Sequence, residues 1–157
     1  MPVIIIMGSP SDEPVATKIT QALDTLGVAW EKRVASAHKV PRYVLDMLAS
    51  YESDPQPKVY ITVAGRSNAL SGLVDAQVSA PVIACPPYSE KFSGGDLLSS
   101  VRMPSGVAPA VILEPANAAL LAAKMLGLAE PALREKVAEV QEGHRQRLIK
   151  ADAELQP

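Results

Sequence analysis

The apolar run Val3-Ile4-Ile5-Ile6-Met7 passes straight into Gly8-Ser9-Pro10-Ser11-Asp12, a turn of small and polar residues. A β-branched run of this kind, with no polar alternation, suits a strand covered on both faces, which is the condition of strands in parallel sheets. Parallel sheets require a crossover after each strand, so the turn is the start of a helix. In open α/β sheets ligands bind outside the carboxyl ends of the strands, where a helix N-terminus offers free N–H groups to an anion. Ser9 and Ser11 add hydroxyl donors. Asp12 would repel a phosphate, so its place is to cap the helix or to accept from ribose hydroxyls. Taken alone, the segment is explained equally well as a Ser/Asp helix cap with no ligand.

The rest of the chain repeats the unit. Val15, Ile19, Leu23 and Leu26 fall on one helical face that stops at Gly27. A second strand, 29–35, ends in Ser36-Ala37-His38-Lys39-Val40-Pro41, and Pro41 suits the first turn of a helix that turns Val44, Leu48 and Tyr51 inward. A third strand, 59–63, ends in Ala64-Gly65-Arg66-Ser67-Asn68, followed by a helix over 69–78. The fourth strand, 82–85, is closed by Pro86-Pro87. Residues 88–109, rich in Gly, Ser and Pro, form a long loop of the kind that is functional or makes an oligomer contact. A fifth strand, 110–113, precedes a helix over 115–126 that is apolar nearly all round, which points to burial at a subunit interface. The last helix, 131–153, is polar but for a stripe at Leu133, Val137, Val140 and Leu148. This alternation predicts one domain over 1–157 with a three-layer α/β/α architecture, a five-stranded parallel sheet and a C-terminal helical arm.

With 15 Lys and Arg against 17 Asp and Glu, the net charge is −2 and no long run of either sign occurs, which argues against nucleic-acid or membrane-surface partners. Cys85, the single cysteine, has no internal disulfide partner and sits in a strand-like run, where a buried inert thiol is expected. No charged-then-apolar leader precedes Val3, so the expected setting is cytoplasmic.

Parallel topology would gather the three strand-end turns, around Ser9, His38 and Gly65, along one edge. Together and in this order they resemble the phosphoribosylaminoimidazole (AIR) carboxylase and carboxyaminoimidazole ribonucleotide mutase family, over essentially the whole chain. Cys85-Pro86-Pro87, Arg102-Met103-Pro104-Ser105-Gly106 and Asn117-Ala118-Ala119-Leu120-Leu121-Ala122 extend the likeness. The mutase class reads Ala-Gly-Gly-Ala-Ala-His-Leu-Pro-Gly at the third turn. This chain reads Ala64-Gly65-Arg66-Ser67-Asn68-Ala69-Leu70-Ser71-Gly72, so Ala69 stands where that class has a second histidine, and Lys39 stands where it has arginine. Both departures resemble the class that takes carbon dioxide directly. The resemblance implies a flavodoxin-like fold and a homo-oligomer, a tetramer for this class and an octamer for the other. It implies that Ser9, Ser11, Asp12, Ser36 and Lys39 hold the ribonucleotide, with Gly65, Arg66 and Ser67 near the ring and carboxylate and His38 as acid/base.

The implied chemistry agrees with what the sequence offers. An electron-rich aminoimidazole can attack carbon dioxide without biotin, metal or ATP, and the chain carries no phosphate-binding Gly-x-x-x-x-Gly-Lys loop, metal-ligand spacing or biotinyl-lysine signature; no cofactor is expected. A proton must leave the tetrahedral intermediate, which calls for a base titrating near neutrality, and imidazole, at about 6.5, suits it. His144 lies on the polar last helix, which leaves His38. Arg66 fits a substrate contact or an inter-loop salt bridge equally well. A flavin carrier would share such a fold and first loop, but one Trp, one Phe and four Tyr leave little to stack an isoalloxazine on. A mutase of the same family and a non-catalytic nucleotide-binding oligomer would also fit the three turns.

Overall fold

A computed structural model describes residues 2–156. Five parallel strands, β1 (Val3–Met7), β2 (Trp30–Val34), β3 (Val59–Val63), β4 (Val82–Ala84) and β5 (Ala110–Val111), form one sheet in the order β2-β1-β3-β4-β5. The helices are α1 (Glu13–Leu26), α2 (Pro41–Glu52), α3 (Ala69–Asp75), α4 (Leu98–Val101), α5 (Pro115–Leu126) and α6 (Pro131–Ala153). This is the doubly wound, flavodoxin-like arrangement, in which the strand order reverses between β1 and β3.

Strand alternation sends each central strand into two cores. Val3, Ile5 and Met7 of β1 join Val59, Ile61 and Val63 of β3 against α1, α5 and α6. Ile4, Ile6 and Tyr60 face the other way, onto α2 and α3. β1 and β3 are buried at every position, while the edge strand β2 is largely exposed. That contrast is why the sequence of β2, Trp-Glu-Lys-Arg-Val, is polar where its neighbours are not.

The apolar helix α5 finds its cover within the chain. It lies on the sheet between α1 and α6, with Ala118, Ala119, Ala122 and Ala123 fully buried, and the small side chains let the neighbouring helices approach closely. Intrachain packing therefore covers its alanine face, while Leu120, Leu121 and Met125 remain only partly buried. The α6 stripe is buried at Leu133 and Val137, partly buried at Val140, and lost by Leu148, which is 74% exposed. Helix α3 ends at Asp75, short of the expected 78, because its last turn tightens as the Gln77 amide donates to Val74 O at 3.0 Å. No helix among the described residues is long and apolar enough to cross a membrane.

Cys85 is fully buried beyond the end of β4, and burial together with the nearby Glu114 charge pushes its thiol up to about 12. A thiolate is the reactive form, so the folded chain should not react with a disulfide reagent at neutral pH. Titration with such a reagent is expected to give one thiol per chain in denaturant and none without it; rapid labelling of the folded chain would contradict this environment.

Candidate active site

The register of the sheet brings the three turns to one level. Met7, the last residue of β1, pairs with Val34 on one side and Val63 on the other. Beyond it the Gly8 amide donates to Val63 O at 2.9 Å and the Ala35 amide donates to Met7 O at 2.8 Å. The turns after β1, β2 and β3 thus leave the sheet side by side, at the point where strand order reverses.

They enclose a cleft of about 770 Å³. The first turn lines it with Gly8, Ser9, Ser11 and Asp12, the second with Ser36, Ala37, His38 and Lys39, and the third with Ala64, Gly65, Arg66 and Ser67. Every candidate named from the sequence therefore borders a single cavity. Among the described residues His38 is the one imidazole on it, and Ala69 does not line it.

Each turn is held by its own short-range bonds. Ser9 and Asp12 form a capping box: the Ser9 amide donates to Asp12 Oδ2 at 2.9 Å, and the Ser9 hydroxyl accepts from the Ser11 amide at 3.3 Å and from the Ser11 hydroxyl at 2.9 Å. In the second turn the Lys39 amide donates to Ser36 Oγ at 3.3 Å. Arg33, near the end of β2, donates to the hydroxyls of Tyr51 and Tyr43 on α2, each at 3.0 Å. The two elements on either side of His38 are thus stapled together. His38 and Lys39 themselves are exposed and line the cleft.

The third turn is the strained one. Arg66 sits at φ 58°, a left-handed conformation that is uncommon for a residue with a Cβ. Asn68, only 2% exposed, caps α3 by accepting from the Ser71 amide at 3.2 Å and donates through Nδ2 to Ser100 Oγ at 3.0 Å. Its own amide donates to Ser99 Oγ at 2.9 Å.

Asp12 is 9% exposed, and burial raises its carboxyl above the ordinary carboxylate value of 3.8 against the opposing pull of the Ser9 and Gly8 amides. A raised folded-state value means that the protonated form is favoured by folding, so this group's contribution is most favourable below 3.8 and declines as pH rises through the raised value. At neutral pH the charge is held at a cost to stability. Asp12→Asn keeps an acceptor for the Ser9 amide and removes that charge. We expect its melting temperature at pH 7 to equal or exceed that of the parent, while, on the ribose role that the resemblance implies for Asp12, affinity for a ribonucleotide falls about tenfold. Calorimetry on both variants separates the two effects, and an unchanged affinity would reduce Asp12 to a cap.

Residues 2–147 match the AIR carboxylase family. The chain belongs to this family. It is 53% identical over 155 residues to phosphoribosylaminoimidazole carboxylase of Archaeoglobus fulgidus, covering 99% of this chain and 85% of that one. It is 50% identical over 153 residues to the enzyme of the same name from Treponema denticola, covering 98% and 96%. The mouse bifunctional phosphoribosylaminoimidazole carboxylase/succinocarboxamide synthetase is 42% identical over 126 residues, which are 80% of this chain and 30% of that protein. The crystal structure of Treponema denticola PurE superimposes with a TM-score of 0.97 at 49% identity, covering 99% of both chains. AIR carboxylase family members are enzymes of purine biosynthesis, and the architecture found here is theirs.

The cleft has a further wall that the turn pattern did not predict. Leu70, Pro87, Tyr88, Ser89, Glu90 and Lys91 complete its lining. The tyrosine is an aromatic side chain beside the cleft, supplied by the long loop rather than by a strand end. Ser99 and Ser100, which hold the third turn, also come from that loop. Their signal in the sequence is faint, because a Ser-Ser pair within a Gly/Ser/Pro-rich stretch reads as loop composition.

Proposed function

We propose that this protein carboxylates 5-aminoimidazole ribonucleotide with carbon dioxide, reversibly giving 4-carboxy-5-aminoimidazole ribonucleotide, with His38 as the general acid/base. The observation that carries the reading is the meeting of the three turns around one cleft with a single imidazole on it. Ser9, Ser11, Asp12, Ser36 and Lys39 hold the ribonucleotide in this reading, and Gly65, Arg66 and Ser67 meet the ring and the new carboxylate. The ring carbon supplies an electron pair to the carbon of carbon dioxide, forming the C–C bond while a C=O pair moves onto oxygen. That ring carbon is now tetrahedral, and its hydrogen leaves as a proton to the His38 imidazole, which restores the ring π-system. In reverse the imidazolium returns the proton as the C–C bond breaks. The step requires no cofactor, since the attacking electrons belong to the ring.

Two features support carboxylase over mutase: Ala69 where the mutase class carries its second histidine, and Lys39 beside the base. The names of the relatives point the same way. The deciding assay offers the purified protein aminoimidazole ribonucleotide with bicarbonate and dissolved carbon dioxide, or the N-carboxylated ribonucleotide. Turnover of the first pair with carbon dioxide as the preferred carbon source is expected; turnover of the N-carboxylated substrate alone would assign the mutase reaction.

We further read the chain as a homo-oligomer, a tetramer. Leu148 and Ile149 near the end of α6, and Leu155 after it, are each at least 60% exposed, and apolar side chains left open in this way favour a partner surface. Light scattering that reports a monomer would overturn this.

A further inference from the structure

The third turn is held from outside by a hydroxyl that does not border the cleft. Ser99 Oγ, on α4, is 2.7 Å from Asp96 O and 3.3 Å from Arg66 O, and it accepts from the Asn68 amide at 2.9 Å. It therefore touches the backbone on both sides of Ser67. Ser67 lies between these contacts, and the first of them is the carbonyl of Arg66 itself, a residue at φ 58°, a strained conformation for a residue other than glycine. Such a conformation persists when the surroundings over-determine it, and α4 is the part of the surroundings that reaches the turn from its far side. Ser100, 1% exposed, adds the bond from Asn68 Nδ2 at 3.0 Å.

We propose that Ser99 is a positioning residue for the reaction: its hydroxyl clamps Arg66 in the left-handed conformation and so presents Gly65, Arg66 and Ser67 to the ring and carboxylate. The inference rests on the carboxylase reading for what the turn does, but the clamp stands on its own contacts. Removing the hydroxyl lets Arg66 relax to negative φ, and the competent arrangement of the turn becomes a minor population; activity falls by that fraction. Glycine at position 66 adopts positive φ without a clamp, so the same removal should then matter little.

The test compares the parent, Ser99→Ala, Arg66→Gly and the double variant in kcat/KM, with a crystal structure of Ser99→Ala. Ser99→Ala is expected to lose about tenfold in kcat/KM, with residue 66 leaving φ 58°. In the Arg66→Gly background the further loss should be within about twofold. If Arg66→Gly leaves too little turnover to measure, the same ratio is read on ribonucleotide affinity by titration calorimetry. A residue that merely supports the fold would impose the same factor in both backgrounds, and that result, or an unchanged turn in Ser99→Ala, overturns the proposal. A parent protein that converts only the N-carboxylated ribonucleotide would instead overturn the carboxylase reading, and the same comparison on that substrate would still test the clamp.

Discussion

His38→Asn is expected to lower kcat by about 10²–10⁴-fold, the usual worth of a positioned proton acceptor, while leaving the fold and ribonucleotide affinity close to those of the parent. Geometry is the reason. The side chain stands on an exposed turn between β2 and α2, and the bonds that fix this turn belong to other residues: Lys39 N to Ser36 Oγ, and Arg33 to Tyr43 and Tyr51. Asparagine at that position disturbs none of them. A melting curve like that of the parent, an unchanged dissociation constant and a collapsed kcat would together assign proton transfer to the imidazole. Retention of turnover would show that another group takes the proton, and a comparable loss of affinity would make His38 a binding residue.

The second large effect belongs to Gly65. A Cβ built there would lie 2.7 Å from Pro87 Cγ and 3.3 Å from its Cδ. Contacts that short force movement, and a pyrrolidine ring just beyond β4 has little freedom to give way. Gly65→Ala should therefore push the third turn and the Pro86-Pro87 segment apart, at about 1–3 kcal/mol of stability, or roughly 2–4 °C of melting temperature per kcal/mol in a chain of this size. Both segments line the cleft, so ribonucleotide affinity should fall by at least about tenfold along with stability. Gly95→Ala is the control, because a Cβ at Gly95 meets nothing within 4 Å. Equal behaviour of the two variants would show that the packing against Pro87 does not shape the site.

The sheet and the three turns were legible in the sequence because each rests on local rules. Val3–Met7 and Val59–Val63 are apolar at nearly every position because both faces are covered, and the turns after them are short, small-residue and polar because a helix must start there. Sequence-distant packing was not legible. Nothing local says that α5 is flanked by α1 and α6, so its apolarity alone does not reveal the cover it finds within the chain. Leu148 lies in register with Leu133 and Val137, but α6 has run past the body of the molecule by then. The cleft wall from Pro87 to Lys91 and the Ser99 contact with the third turn escaped for the same reason: no periodicity governs a loop, and its contacts span more than thirty residues.

The shared level at which β1, β2 and β3 end has a thermodynamic corollary. Strands bonded side by side stand about 4.8 Å apart whatever the solvent contains, so three sides of the cavity keep their spacing before any nucleotide arrives. Little ordering entropy is then lost there on association. The fourth side, from Pro87 to Lys91, follows β4 without belonging to any strand or long helix, and it is where freezing of the backbone will be felt. Amide exchange on ligand addition should accordingly slow along that side and stay nearly constant at the three strand ends, a division of labour between a rigid seat and a movable rim.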